Sequence, residues 1–374
     1  MKLQRLTLDN YRNYCHLELE TNHRVNLFIG PNAQGKTNLL ESIHVLALTK
    51  SHRTVREKEL IRWEAESAHL HAQVEKKYGE IRLDLQLSSQ GKKAKLNGLE
   101  QKKLSSYVGS FNVVMFAPED LEIVKGSPAV RRRFLDMEIA QVQPAYLHHL
   151  LQYQKTLAQR NQFLKQALSR PGSLNDTMLE VWNEQLAEHG SKIIKKRESF
   201  IDKLQLWAER THAGITNGKE RLRIRYVPSV GAEDGGTQDE TMLFERFMVK
   251  LSHVKEQEFK RGATLVGPHR DDLVFFINDK PVQTYGSQGQ QRTTALSLKL
   301  AEIELMNQET GEYPVLLLDD VLSELDPYRQ TQLIETFQSK VQTFVTSTGI
   351  ESVHLDRLQD VCIYDVLEGR VQVR

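Results

Sequence analysis

The sequence carries little with which to build cross-links or metal clusters. Only two of its 374 residues are cysteine, Cys15 and Cys362; they form no ligand cluster or disulfide framework and read as reduced thiols. No apolar run reaches the roughly 18 residues of a membrane-spanning helix, and Met1-Lys2-Leu3-Gln4-Arg5 lacks the apolar run of a signal peptide. The expected setting is therefore the cytoplasm, with no membrane contact. Net charge is missing as well, since 50 Lys and Arg against 49 Asp and Glu leave +1. Composition thus gives no indication of nucleic acid, and a basic binding face has to come from local segregation of charge. No internal repeat or low-complexity tract is visible. What remains is an ordinary globular composition, 39% apolar and 26% charged, in a chain long enough for two domains or for one carrying an insertion.

What the sequence does contain is Gly30-Pro31-Asn32-Ala33-Gln34-Gly35-Lys36-Thr37, a match to G-x-x-x-x-G-K-[ST]. Val25-Asn26-Leu27-Phe28-Ile29 before it is short, apolar and β-branched, as a buried strand is. Thr37-Asn38-Leu39-Leu40-Glu41-Ser42-Ile43 after it carries apolar residues at helical spacing. Glycines at 30 and 35 let the backbone turn so that successive N–H groups face a phosphate, and the helix adds the positive end of its dipole. In this setting Lys36 reaches the β- and γ-phosphates and the Thr37 hydroxyl ligates Mg²⁺. The stretch from Gly30 to Asn38 is the expected nucleoside triphosphate site; the alternative is a Gly-rich turn that binds nothing.

Around it, periodicity divides the chain. From about 68 to 97 apolar residues alternate, with Leu70, Ala72 and Val74 before the Tyr78-Gly79 turn and Ile81, Leu83, Leu85 and Leu87 after it, which predicts an antiparallel hairpin with one wet face. Lys92, Lys93 and Lys95 beyond it fit a solvated edge. From about 128 to 215 the pattern is helical. Leu150, Leu157 and Leu164 recur every seven residues, with Leu147, Gln154, Asn161 and Leu168 as companions. Thr177-Met178-Leu179-Glu180 has the form of a capping box opening a second long helix, whose apolar face runs Leu179, Trp182, Leu186, Ile193, Phe200, Leu204 and Trp207. The pair fits either a closed helical subdomain or a projecting arm. Arg221, Arg223 and Arg225 occupy one face of an alternating strand, and residues 231–238 read as a linker.

A second half of the site lies far downstream. Val315-Leu316-Leu317-Leu318-Asp319-Asp320 is a buried strand ending in two acids. Asp319 is placed to hold Mg²⁺, and Asp320 to orient or deprotonate the attacking water; a solvated strand end is the alternative. Ser287-Gln288-Gly289-Gln290 opens a helix and offers hydroxyl, N–H and amide donors to an anion, or is an ordinary cap with Ser287 as N-cap.

The order of phosphate loop, long insertion, S-x-G-Q, acidic strand and Ser323-Glu324-Leu325-Asp326 resembles the ABC-type ATPase heads of the SMC class. Over essentially the whole chain the sequence is similar to the RecF family. The likeness includes Asn10-Tyr11-Arg12-Asn13-Tyr14, Asn38-Leu39-Leu40-Glu41, Phe116-Ala117-Pro118-Glu119-Asp120-Leu121 and Gly267-Pro268-His269-Arg270-Asp271-Asp272. The resemblance implies an α/β fold: a P-loop ATPase head of mixed sheet with antiparallel hairpins and an inserted α-helical, arm-like subdomain. Residues 1–125 and 263–374 would form the head and 126–262 the insertion. It also implies an ATP-dependent homodimer in which each copy presents Ser287, Gly289 and Gln290 to the γ-phosphate held by the other copy's Lys36, with Asp326 in the loop linking the two sites. Gln288 stands where the signature has glycine and Asp320 where the catalytic acid is glutamate, so slow hydrolysis is expected, with Asp320 and Lys36 as the catalytic pair and Thr37 and Asp319 as metal ligands. The implied function is binding of single-stranded and gapped or junction DNA beside the nucleoid, recombinase loading through RecR-like mediator partners, and support of the SOS response. The competing expectations are the ATPase subunit of a nuclease complex and a P-loop phosphotransferase for a small metabolite.

The basic candidates for DNA are Arg131-Arg132-Arg133, Lys195-Lys196-Arg197 and the arginines of 221–225. Each charge run has a solvated surface as its alternative. Residues 128–215 hold thirteen Lys and Arg against nine Asp and Glu, a local excess in a chain whose total is +1.

Overall fold

The computed structural model describes residues 1–54, 56–169, 176–231, 239–321, 330, 339–349 and 359–374. Of the expected linker only Gly231 falls among them, and Ser323-Glu324-Leu325-Asp326 lies outside them. The chain opens with β1 (Lys2–Tyr11), β2 (Tyr14–Glu20), β3 (Val25–Ile29) and α1 (Lys36–Leu48). It continues through β4 (Ser67–Lys76), β5 (Gly79–Ser88), β6 (Gly91–Leu96), β7 (Leu99–Glu100) and β8 (Val113–Phe116). Then come α2 (Leu121–Lys125), α3 (Pro128–Val142), α4 (Pro144–Ser169), α5 (Asp176–Ile215), β9 (Leu222–Val227) and α6 (Glu240–Arg261). The last third holds β10 (Asp272–Ile277), β11 (Lys280–Pro281), α7 (Val282–Tyr285), α8 (Gln288–Thr310), β12 (Val315–Asp319), β13 (Thr343–Ser347), β14 (Val361–Leu367) and β15 (Arg370–Val373).

These elements fall into two units. The first comprises Met1–Leu121, Gly214–Gly218 and Ala295–Arg374; the second comprises Glu122–Ala213 and Lys219–Thr294. A break at 262 was expected from the sequence. Instead β9 pairs antiparallel with β10, from Leu222 opposite Ile277 to Val227 opposite Asp272, and this ladder keeps 263–294 with the helices.

In the first unit a six-stranded sheet has the order β15-β14-β3-β13-β12-β8, parallel except for the β14–β15 hairpin. β3, β8, β12 and β13 are buried at every position, as their continuous apolar runs require. Almost every residue of α1 is buried too, including Leu39, Leu40, Ile43, Val45 and Leu46. The other sheet, β2-β1-β4-β5-β6-β7, is antiparallel. Its expected hairpin closes at Lys76 opposite Gly79, with Leu70, Ala72, Val74, Leu83, Leu85 and Leu87 inward. Lys92 departs from the solvated edge: its side chain is buried, donates to the Thr49 carbonyl and pairs with Glu57 at 2.7 Å.

The second unit has its own core, including Leu164, Leu186, Ile193, Phe200, Leu204, Phe247 and Leu251, so its helices form a closed subdomain. The heptad reading of α4 needs correction. Gln154 and Leu168 are exposed, and the buried face runs Leu150, Tyr153, Thr156, Arg160, Leu164 and Ala167. A straight helix drifts off a strict seven-residue repeat, and here the drift carries Arg160 inward. It pairs with buried Glu258 of α6 at 2.6 Å, donates to Thr264 Oγ1 at 2.7 Å and to Asn183 Oδ1 at 2.9 Å. α5 already includes Asp176, so Thr177 lies inside its first turn and is not the N-cap.

Two of the three basic clusters are corrected by the same unit. Arg131 is buried, bidentate to Asp272 at 2.6 and 3.0 Å, with a third bond to Gly126 O. Arg197 is buried and donates to Asp136 at 2.7 Å, Pro268 O at 2.8 Å and the Tyr146 hydroxyl at 3.0 Å. Its Nη1 also lies 3.5 Å from Asp271. Arg132 donates to Asp271 O at 2.8 Å. Three arginines in these runs are therefore structural, gathered on the Gly267–Asp272 segment. The arginines at 221, 223 and 225 are exposed as the alternation requires. Arg223 and Arg225 lie over the Phe276 ring at 5.0 and 5.2 Å.

Candidate functional site

β3 ends at Ile29, and the loop after it is shaped by close backbone approaches. A Cβ at Gly30 would stand 2.2 Å from Val366 O, so only glycine fits against β14. Gly35 has φ 117° and is the N-cap of α1; a Cβ there would strike Asn13 Nδ2 at 2.5 Å. Ala33 adds a left-handed residue at φ 63°. No side chain caps the α1 N-terminus, which leaves its first N–H groups facing the loop's concavity.

Segments distant in sequence brace this loop. Asn13 Nδ2 donates to Gln34 O at 3.0 Å, and the Tyr14 hydroxyl to Gly35 O at 3.0 Å. The amides of Glu368 and Gly369, beyond β14, donate to Gln34 Oε1 and Gln34 O at 2.7 and 3.0 Å. Asn38 Nδ2 donates to Asn13 Oδ1 at 2.8 Å, and Arg53 donates to Asn38 Oδ1 at 3.1 Å. Arg12, at φ 52°, grips Glu41 of α1 with two bonds of 2.8 Å. Burial opposes ionisation of Glu41, but bonds from Arg12 and Ser51 hold its carboxyl below the usual range.

The chemistry gathers at the carboxyl end of the parallel sheet. Lys36 Nζ donates to Gly30 O and Pro31 O at 2.6 and 2.7 Å. Burial lowers its pKa, against the pull of Asp320 and Asp319. Thr37 Oγ1 donates to Asp319 Oδ1 at 3.0 Å across 282 residues of sequence. β13 lies between β3 and β12, and its Thr346 donates to the same Asp319 Oδ1 at 2.7 Å. Burial raises the Asp319 pKa; the two hydroxyl bonds oppose the rise. Asp320 follows at φ 52°, and its amide donates to Thr346 Oγ1 at 2.9 Å. Thr346 therefore touches both acids.

The structure thus brings Gly30 to Asn38, Asp319 and Asp320 into one constellation within the first unit. Ser287, Gly289 and Gln290 belong to the second. There they form a reciprocal cap on α8: Ser287 N donates to Gln290 Oε1 at 2.9 Å, and Gln290 N to Ser287 Oγ at 3.2 Å. The hydroxyl accepts in that bond and keeps its own proton to donate. Gln290 Nε2 donates to Glu220 at 2.9 Å, and Glu220 lies 3.1 Å from Nε2 of buried His212. Sequence reasoning assigned no role to Arg12, Asn13, Arg53, Glu220, His212 or Glu368. Only the pairing of residues far apart reveals them, although Asn10-Tyr11-Arg12-Asn13 was among the stretches that carried the family likeness.

A sequence profile of the RecF/RecN/SMC N-terminal domain matches residues 2–363. The DNA replication and repair protein RecF of Oceanobacillus iheyensis is 53% identical over 371 residues, covering 99% of this chain and all of the relative. The chain belongs to the RecF family. The Lysinibacillus sphaericus RecF is 54% identical over 374 residues, with both chains covered in full. Among solved structures, the recombination mediator protein RecF-ATP of the RecFOR pathway superposes with a TM-score of 0.91 at 37% identity, over all of this chain and 97% of that one. An Smc head bound to the C-winged helix domain of ScpA, 12% identical with a TM-score of 0.55, shares the fold alone. The ABC-type ATPase head fold expected from the sequence is therefore present in this RecF-family chain.

Proposed function

We propose that the chain is an ATP-driven DNA-binding head of replication and recombinational repair, which pairs with a second copy when ATP is bound and hydrolyses it slowly. The observation that carries the reading is the Thr37–Asp319 bond, which brings two hard oxygen donors from the ends of the chain to the mouth of the phosphate loop. The glycine cradle and the uncapped amides of α1 suit a polyphosphate. Thr37 and Asp319 suit Mg²⁺, which would neutralise charge on the phosphate oxygens when bound. Lys36 has its ammonium on two loop carbonyls and exchanges them for phosphate oxygens. Asp320, anchored through its amide to Thr346, orients the attacking water; as an aspartate it reaches less far than glutamate, which supports slow turnover.

Ser287, Gly289 and Gln290 are assigned to the γ-phosphate on the opposite copy. Ser287 stands at an exposed helix end, where its hydroxyl accepts from Gln290 N and keeps its own proton to donate. The resulting dimer binds single-stranded or junction DNA without sequence preference and hands it to a RecR-like mediator for recombinase loading. Support comes from the relatives named for DNA replication and repair and from the solved mediator of the RecFOR pathway. Equilibrium titration with a fluorescent ATP analogue tests the nucleotide assignment: Lys36→Met should lose tight binding while keeping its fold. Unchanged affinity in that variant would overturn the assignment. DNA anisotropy with and without ATP tests the clamp, and equal binding in both refutes it.

A further inference from the structure

Within the first unit, an open groove of about 1020 Å³ is lined by residues 58–59 and 61–67, by the end of β5 and the β5–β6 turn, and by Arg12 and Lys93. At its rim Trp63 is 92% exposed, an unusual position for the side chain with the most apolar surface to hide. The exposure is not that of a loose loop. Arg62 N donates to Asn10 O at 2.8 Å, and Ala65 N to Arg62 O at 3.1 Å. Glu64 is held at φ 69°, a left-handed conformation that costs a non-glycine residue energy. The turn therefore holds the indole out.

Lys58, Arg62 and Lys93 reach the same groove, as do Glu64 and Glu66. Arg12 and Glu59 also line it, but Arg12 is committed to Glu41, and Glu59 accepts from Thr54 at 2.6 Å. This balance is too even for phosphate attraction alone to hold a strand, so stacking on the indole has to supply the larger share. Duplex bases are already stacked and paired; an unpaired base offers its π-face to an aromatic platform. The groove is also joined to the nucleotide site. Arg12 donates its amide to Leu60 O at 2.9 Å and Nη1 to Glu59 O at 2.8 Å while gripping α1 through Glu41.

We propose that this groove seats an unpaired stretch of DNA, with one base stacked on Trp63 and the flanking phosphates met by Lys58, Arg62 and Lys93. The proposal rests on the DNA-binding reading above and assigns the unpaired strand named there to one place on the first unit.

The test uses the full chain with ATP, a labelled single-stranded oligonucleotide and the blunt duplex of the same sequence, followed by anisotropy. Trp63→Ala should weaken single-strand binding roughly 5- to 150-fold, the range that one lost base–aromatic stack gives, and leave duplex binding within about twofold of wild type. Trp63→Phe should recover part of the loss. Lys58→Glu with Lys93→Glu should flatten the single-strand salt dependence by about 1.4 in log–log slope, two phosphate contacts' worth. If the wild type binds DNA and Trp63→Ala titrates like it, the groove has another occupant and the proposal is overturned while the clamp reading stands. If the wild type binds neither oligonucleotide, both fall.

Discussion

At the scale of single residues, the site is a set of oxygen atoms competing for Asp319. Thr37 and Thr346 both donate to its Oδ1, and Asp320 is tied to the same Thr346 through its amide. The two acids were legible as a pair after an apolar strand, and so were the strand, glycine turn and helix from β3 to α1. Thr346 was not singled out, because its importance depends on β13 lying between β3 and β12. The different partners of the two carboxyls predict different phenotypes. Asp319→Asn should weaken Mg²⁺-dependent nucleotide binding by about tenfold or more, since the proposed metal site loses its one carboxylate. Asp320→Asn should bind normally and turn over about 100-fold more slowly, the typical contribution of a positioned base. Affinity and turnover measured on both variants decide it, and exchanged phenotypes would exchange the roles.

At the scale of elements, charge runs were the least legible feature. Arg131 and Arg197 look like surface cations in the sequence, but their helices turn them onto Asp272, Asp136 and Asp271. No local pattern marks an arginine whose carboxylate partner lies 61 or 141 residues away. Arg197→Ala should therefore destabilise the protein by about 3–5 kcal/mol in urea unfolding, because it strands the buried Asp271 and the half-buried Asp136. Arg223→Glu with Arg225→Glu should leave stability nearly unchanged and lower the salt slope of duplex binding by roughly two; the opposite pattern would restore Arg197 as a DNA contact. On the same helix α5, Glu198 is half-buried, with Oε2 lacking a hydrogen bond among the described residues. Burial pushes its pKa up to about 7 from an ordinary 4.5, with Lys195 opposing and Asp202 and Asp271 adding. Between those values the folded protein keeps a proton that the unfolded chain has released, so its stability falls as pH rises through that window. Glu198→Gln should raise stability at pH 8 by on the order of 1 kcal/mol, the value being limited by solvent screening, and change little at pH 5. Equal shifts at both pH values would show that the carboxyl is not strained.

At the scale of the whole molecule, the alternation of β4 and β5 and the buried runs of β3 and β12 were read correctly because each is a local pattern with one physical meaning. The boundary at 262 was not, because β9 and β10 join across the α6 segment. The α4 seam was misplaced because a buried ion pair, Arg160 with Glu258, took the place of an apolar knob. The phosphate loop and S-x-G-Q fall in different units, and the proposed reading brings them to one nucleotide by pairing two copies. Sedimentation velocity of the full chain with and without ATP and Mg²⁺ tests this directly. The account predicts a monomer without nucleotide and a dimer with ATP, lost in Ser287→Arg although that variant still binds ATP. A Ser287→Arg chain that dimerises with ATP as the wild type does would contradict it.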